Sequence, residues 1–317
     1  MFADFAEHLD GLGRSERTVY GYLQDLTIFS RWFVQTNGYP LSPDNLTPTD
    51  VRQYRQYMLT VEKAMPASVN RRLAALRAYA AWAKDTGKIE TNPVNGVKSA
   101  PKQKMAPRWL AKREQMKLMQ AVERDVSSAR SEPARRQATR DKTIIVLLMH
   151  TGLRISELCA LDADDLVLSE RKGELRVRAG KGEKFRSIPL NNAARAALRE
   201  WSDLPSRRCP EFIEGCCACP DADAINGIHT VPVFTGRRGD RLTASVVQRR
   251  LAEYGRRASV EATPHTLRHT FAKNLVDAGV TLEKVAALMG HTSLDTTRLY
   301  TTPSLADLDR AVQLLAE

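Results

Sequence analysis

No apolar run in this 317-residue chain is long enough to cross a membrane. The longest, residues 143–149, falls far short of the ~20 residues a spanning helix needs. The first ten residues, MFADFAEHLD, are acidic and lack the basic start and apolar stretch of a signal peptide. Cysteines number only five. Without a secretion signal they point to free thiols in a reducing compartment rather than to a disulfide scaffold. No glycine-rich loop ends in Gly-Lys-Ser or Gly-Lys-Thr, so nothing marks a nucleoside triphosphate as fuel. His265 and His269 stand four apart, as two metal ligands on a helix can. The H-E-x-x-H glutamate and a nearby third ligand are both missing, so no metal site is expected. Internal repeats and low-complexity tracts are absent too, which excludes a solenoid.

Positive charge is what the chain has in surplus. Lys and Arg total 48 against 37 Asp and Glu, a formal net charge of +11. A surplus of this size favours a polyanionic partner. The length suits two domains, and 43% hydrophobic content supplies two cores.

Residues 1–97 read as a helical domain. Ser15 opens one helix, followed by Val19, Leu23, Leu26, Phe29, Trp32 and Phe33 at helical spacing. Thr47-Pro48-Thr49-Asp50 opens another with a Thr cap, Pro in the first turn and an acid near the positive end. A third starts at Pro66 and carries Arg71, Arg72 and Arg77 on its polar face. That face is either a solvated surface or a DNA-facing one. Trp32 and Trp82 are core candidates. Residues 98–108 (KSAPKQKMAPR) hold three Lys, including Lys102 and Lys104, two Pro and no acid. Such a stretch is extended and self-repelling, and reads as a basic linker.

Residues 109–317 mix helices with a few strands. A buried helix over 143–150 ends at Gly152. Alternation at Leu175, Val177 and Ala179, a Gly180-Lys181-Gly182 turn and a return strand over 185–190 predict a β-hairpin with Lys181 at its tip. Helices are expected at 192–201, 244–257, 264–278, 282–289 and 294–301, with a last one at 305–315. Residues 207–228 do not fit: they hold Cys209, Cys216, Cys217 and Cys219 with little periodicity. Four thiols could bind zinc, but paired C-x-x-C arms are lacking, so the segment reads as an irregular insertion loop. The fold class is mainly α with a small β-sheet.

Four pieces of the second half bring unusual chemistry. Thr151-Gly152-Leu153-Arg154-Ile155-Ser156-Glu157-Leu158 puts an arginine just after a glycine helix stop. Lys181 sits on its hairpin tip. Thr263-Pro264-His265-Thr266-Leu267-Arg268-His269 caps a helix and places His265 and Arg268 on one face. Gly290-His291 precedes Tyr300 by nine residues. Each piece alone is commonplace. Together they are what attack on a phosphodiester without a metal requires. A tyrosine hydroxyl, with pKa near 10, needs somewhere to put its proton, and histidine can take it. Two guanidiniums can hold the phosphoryl oxygens as charge builds on them. Lys181 can protonate the leaving oxygen.

The order Arg154, Lys181, His265, Arg268, His291, Tyr300 closely resembles the tyrosine recombinase (phage integrase) family. The phrases TGLRISEL, GKGEKFRSIPL, TPHTLRHTFA and LMGHTSLDTT are similar to its Xer-type and integron-integrase-like branch. The resemblance implies a SAM-like core-binding domain followed by an α+β catalytic domain, closing as a clamp on double-stranded DNA with inverted-repeat sites. It implies a 3′-phosphotyrosyl link at Tyr300, phosphate held by Arg154 and Arg268, and His265 assisting proton transfer. It further implies His291 bonding the phosphate, Lys181 as general acid and Glu157 supporting the site. Four protomers, all alike or shared with a second recombinase, would exchange strands through a Holliday junction without metal, cofactor or ATP. The 305–315 helix would dock on a neighbour, and the location would be cytoplasmic, on the nucleoid. Both chromosome-dimer resolution and mobile-element integration suit these features. Alternatives of the same chemistry or fold are a type IB-like topoisomerase and a DNA-binding accessory protein that does not cut.

Overall fold

The computed structural model describes residues 2–101, 107–169, 171–178, 185–204, 231–236, 239–290 and 295–300. The chain divides into two compact units, Met1–Met105 and Ala106–Glu317.

The described residues of the first unit form four helices: α1 (Ala3–Gly11), α2 (Glu16–Asn37), α3 (Pro48–Thr60) and α4 (Pro66–Asp85). Local chemistry sets their ends. The Ser15 side chain accepts from the Thr18 N–H at the start of α2. At α3, Thr47 and Asp50 cap each other reciprocally, the Thr47 N–H reaching the Asp50 carboxylate at 2.9 Å. Phe5, Leu26, Phe29, Phe33, Tyr54, Met58, Leu73 and Leu76 form the core. Trp32 and Trp82 belong to it as well, Trp32 packing 5.0 Å from the Tyr54 ring. The chain beyond α4 folds back on it. Asn70 both donates to the Ala100 carbonyl (2.9 Å) and accepts from the Ala100 N–H (2.7 Å). Val94, Val97 and Ala100 are buried with the core.

The second unit begins with two long helices, α5 (Lys112–Ser128) and α6 (Glu132–Thr151), and the short α7 (Ile155–Ala160). Three antiparallel strands follow, β1 (Leu166–Leu168), β2 (Gly173–Val177) and β3 (Arg186–Pro189), in the order β1-β2-β3. Leu175 of β2 pairs with Ile188 on one side and Leu166 on the other, which points their apolar face at the core. Then come α8 (Asn192–Ser202), α9 (Ala244–Ala258), α10 (Pro264–Asp277), α11 (Leu282–Met289) and α12 (Asp295–Arg298). Leu147, Leu148, Leu153, Leu158, Leu198, Leu251 and Leu267 fill the centre. A smaller cluster joins Phe271 and Ala272 of α10, Val285 and Met289 of α11, and Tyr300.

Among the described residues the architecture is thus mainly α with one small sheet. Helix α6 starts at Glu132, well before the expected position 143, because Ser131 caps it at Ala134. Its first half carries Arg135, Arg136, Arg140, Asp141 and Lys142, so an apolar run marks only the second half. The helix expected over 294–301 is only the four-residue α12 among the described residues. No helix among the described residues is long and apolar enough to cross a membrane. Lys102, Lys104, Lys181, His291, the cysteine-bearing segment 207–228 and the helix expected at 305–315 lie outside the described residues.

Candidate active site

Arg154 stands where α6 stops and α7 begins. Gly152 makes the stop in a left-handed conformation (φ +63°), which favours glycine. A Cβ there would also lie 2.4 Å from Cδ1 of Phe271, so Gly152 lets α10 press against the turn. The Arg154 N–H donates to Glu157 at 2.7 Å, and its guanidinium donates to the same carboxylate at 2.9 Å.

Glu157 is buried, and burial by itself pushes its carboxyl up. Hydrogen bonds from Arg186 and from the Arg154 N–H, with the charges of both arginines, outweigh that and hold it below the usual carboxylate range. Arg186, from β3, meets it with two prongs at 2.9 and 2.8 Å.

Arg268 comes from α10, whose start is fixed by Thr263 capping the Thr266 N–H at 3.0 Å. Its side chain is buried and donates to the Gly152 carbonyl at 2.5 Å and the Met289 carbonyl at 2.6 Å. Burial, with the neighbouring charge of Arg154, lowers its pKa to about 10, so it stays a cation at neutral pH.

Three arginines therefore take three successive carbonyls at the end of α11. Arg186 donates to Leu288 (3.1 Å), Arg268 to Met289 (2.6 Å) and Arg154 to Gly290 (3.2 Å). The last carbonyls of a helix have no partner within it and carry partial negative charge. The cations answer both needs, and they gather at the turn leading to His291. Gly290 is again left-handed (φ +64°), and a Cβ on it would meet Nη1 of Arg186 at 2.7 Å.

Tyr300 lies against Met289 and Phe271 with almost no exposed surface. Its hydroxyl is 2.7 Å from Nδ1 of His269. Burial raises the Tyr300 pKa, only partly offset by the charge of Arg268. His269 is lowered by burial, by His265 and by Arg268, which keeps it neutral and able to accept a hydrogen bond. His265 is exposed one turn earlier on α10, its ring 6.4 Å from that of His269. Among the described residues, no group of three or more His, Cys, Asp or Glu could hold a metal.

Arg154, Glu157, Arg268 and Tyr300, named from sequence, thus converge, with His265 at the rim. Two participants escaped the sequence reading. Arg186 sits inside the phrase GKGEKFRSIPL, and His269 directly follows Arg268, where its spacing from His265 suggests only half of a metal pair. In the first unit, Arg71 pairs with Asp25 at 2.5 Å, Arg72 with Glu62 at 2.6 Å, and Arg77 with the Val97 carbonyl at 2.8 Å. Of the three, Arg71 keeps 55% of its side chain exposed.

Residues 108–306 match the Phage integrase family, and residues 1–87 match its N-terminal SAM-like domain. The tyrosine recombinase XerC of Pseudomonas aeruginosa is 32% identical over 305 residues, covering 94% of this chain and 88% of that protein. XerC of Thermodesulfovibrio yellowstonii is 30% identical over 93% of this chain and 89% of its own. XerA of Pyrococcus furiosus is 28% identical over 99% and 93%. Among solved structures, the XerH recombinase bound to palindromic difH substrate, a post-cleavage complex, superposes with a TM-score of 0.71. It is 18% identical and covers 94% of this chain and 80% of that one. The Tn1549 transposon integrase in complex with a circular intermediate DNA gives 0.70 at 18% identity, over 98% of both chains. These structures share the fold. The chain belongs to the phage integrase family. Within it, the protein is a Xer-type tyrosine recombinase, an enzyme of site-specific DNA strand transfer.

Proposed function

We propose that the protein cuts and rejoins double-stranded DNA with Tyr300 as its nucleophile. The observation that carries this is the convergence of two cations, Arg154 and Arg268, with a tyrosine on one turn at the end of α11. The Tyr300 oxygen attacks phosphorus and loses its proton to a histidine. The bond from phosphorus to the 5′ oxygen breaks, and Lys181 protonates that oxygen. A 3′-phosphotyrosyl link and a free 5′ hydroxyl result. Rejoining runs the same steps backwards with a new 5′ hydroxyl, and the stored phosphodiester energy makes ATP unnecessary.

Arg154 and Arg268 neutralise the charge that builds on the non-bridging oxygens, the principal electrostatic demand of such a transition state. Each guanidinium carries its N–H donors in a planar fork that matches phosphoryl oxygens. His265, exposed at the rim, assists proton transfer, His291 bonds the phosphate, and Glu157 with Arg186 fixes Arg154. Residues 98–108, with Lys102 and Lys104, supply phosphate contacts, together with Arg71, Arg72 and Arg77 of α4. Of these arginines Arg71 is the most open to solvent. Four protomers on two inverted-repeat sites exchange strands in pairs through a Holliday junction, the helix at 305–315 docking on a neighbour. The organism's own DNA flanking the gene is the first place to seek the site.

The test is covalent trapping. Nicked duplexes carrying candidate sites are incubated with the protein and resolved on a denaturing gel. A protein–DNA band lost in Tyr300→Phe, with binding retained, supports the reading. A band that persists in Tyr300→Phe overturns it.

A further inference from the structure

We infer that His269 is a further catalytic residue, the immediate acceptor of the Tyr300 proton in strand cleavage. The inference rests on Tyr300 being the nucleophile. A general base must lie within hydrogen-bond reach of the proton it removes, and His269 Nδ1 stands 2.7 Å from the Tyr300 oxygen. The two rings are 5.6 Å apart. The position is held from both sides. On α10, the residue before it, Arg268, donates to the Gly152 and Met289 carbonyls. Tyr300 is held by Phe271, Val285 and Met289. His265 is exposed one turn away, its ring 6.4 Å from that of His269.

The electrostatics make the transfer depend on substrate. A proton on His269 would create a second cation beside buried Arg268. Burial and that charge keep the ring neutral in the free protein, and burial keeps Tyr300 protonated. A phosphate arriving between the arginines brings the negative charge that offsets the repulsion. As the Tyr300 oxygen bonds to phosphorus, its O–H bond breaks and the proton passes to Nδ1. The 5′ oxygen leaves with a proton from a separate acid. On rejoining, the imidazolium returns its proton to the departing tyrosine. The free enzyme therefore keeps its nucleophile quiet, and the bound one activates it.

The test compares His269→Phe and His269→Gln with wild type in single-turnover cleavage of a nicked duplex. A second duplex carries sulfur in place of the bridging 5′ oxygen, a leaving group that needs no acid. Binding and melting temperature are measured alongside. Phe cannot accept the proton. The Gln amide oxygen can accept the hydrogen bond but cannot take up the proton. Both variants are expected to cleave about 100-fold or more slowly at wild-type DNA affinity, the lower range for loss of a general base. The deficit should persist on the sulfur substrate, which relieves only defects in the acid. Wild-type rates for His269→Gln would overturn the inference, since the contact would then only orient the tyrosine. Faster cleavage by either variant would also overturn it, since the contact would then restrain the nucleophile. Rescue by sulfur would reassign His269 to the acid side and overturn it equally. Failure of the Tyr300 reading would look different: the wild-type band would survive in Tyr300→Phe.

Discussion

Arg186 grips Glu157 through both carboxylate oxygens while its Nε holds the Leu288 carbonyl. One side chain thus joins β3 to α7 and to the end of α11. Glu157 in turn holds Arg154, and Arg154 reaches Gly290. The chain of contacts runs from the strand that follows Lys181 to the turn that precedes His291. Such preorganisation matters because charge stabilisation of a transition state depends on donors already in place.

Removing Arg186 should therefore harm both stability and chemistry. The pair is buried, with 10% and 8% of the two side chains exposed. Breaking a buried pair from one side typically costs about 3–5 kcal/mol. Arg186→Ala is expected to lose stability of that order in urea unfolding and to slow covalent-complex formation. Arg186→Lys restores one charge but not the two-pronged grip. It should recover part of the stability and little of the rate. Unchanged cleavage in Arg186→Ala would separate the grip from the chemistry.

The depressed Glu157 pKa makes a signed prediction. A carboxyl whose folded pKa lies below its unfolded value contributes stability that is fully present above the unfolded value. That reference is 4.5. As pH falls below it and through the folded value, the contribution is lost. Unfolding free energy measured from pH 7 to pH 3 should drop more steeply for wild type than for Glu157→Gln, the two curves converging in acid. Parallel curves would show that Glu157 is not held down by its arginines.

Much of this was legible in the sequence for physical reasons. Arg154 and Arg268 sit beside a helix stop and a helix cap, and Gly152, Thr263 and Pro264 announce those locally. Helix α11 follows from its own periodicity and the glycine after it. What was not legible is long-range or weakly patterned. Helix α5 buries only Leu118, Ala121 and Val122 along a charged surface, and β1 has three residues, too few to alternate. Arg186 looks like any strand arginine until Glu157, 29 positions away, is placed against it. His269 is indistinguishable from a helix-surface histidine until Tyr300, 31 positions on, meets its ring. The arginines of α4 read from sequence equally as a solvated or a DNA-facing surface, and nothing in the sequence points to Asp25, Glu62 and the Val97 carbonyl as their partners.

Gly152 gives a prediction that separates two causes. An alanine there meets both a left-handed backbone and the Phe271 ring at 2.4 Å. Backbone strain of this kind costs of order 1–3 kcal/mol, and overpacking adds to it. Gly152→Ala should lower the melting temperature. Adding Phe271→Leu should recover the steric part only, because it leaves φ unchanged. Full recovery would assign the whole effect to packing. Since Arg268 donates to the Gly152 carbonyl, cleavage should fall with stability.

Arg71 offers a way to divide structural from DNA-binding roles on α4. Its partner Asp25 is buried, and burial raises the Asp25 carboxyl despite the nearby Arg71 charge. Arg71→Ala leaves that carboxyl without its cation, so the melting temperature should fall. The double variant Asp25→Asn with Arg71→Ala removes the stranded charge and should recover part of the loss. If Arg71 also meets phosphate, DNA affinity in the double variant stays weak. The slope of log affinity against log salt then falls by roughly one unit or less. If Arg71 serves only Asp25, the double variant binds DNA with wild-type affinity and an unchanged slope. Titrating both proteins with duplex over a range of salt distinguishes the two.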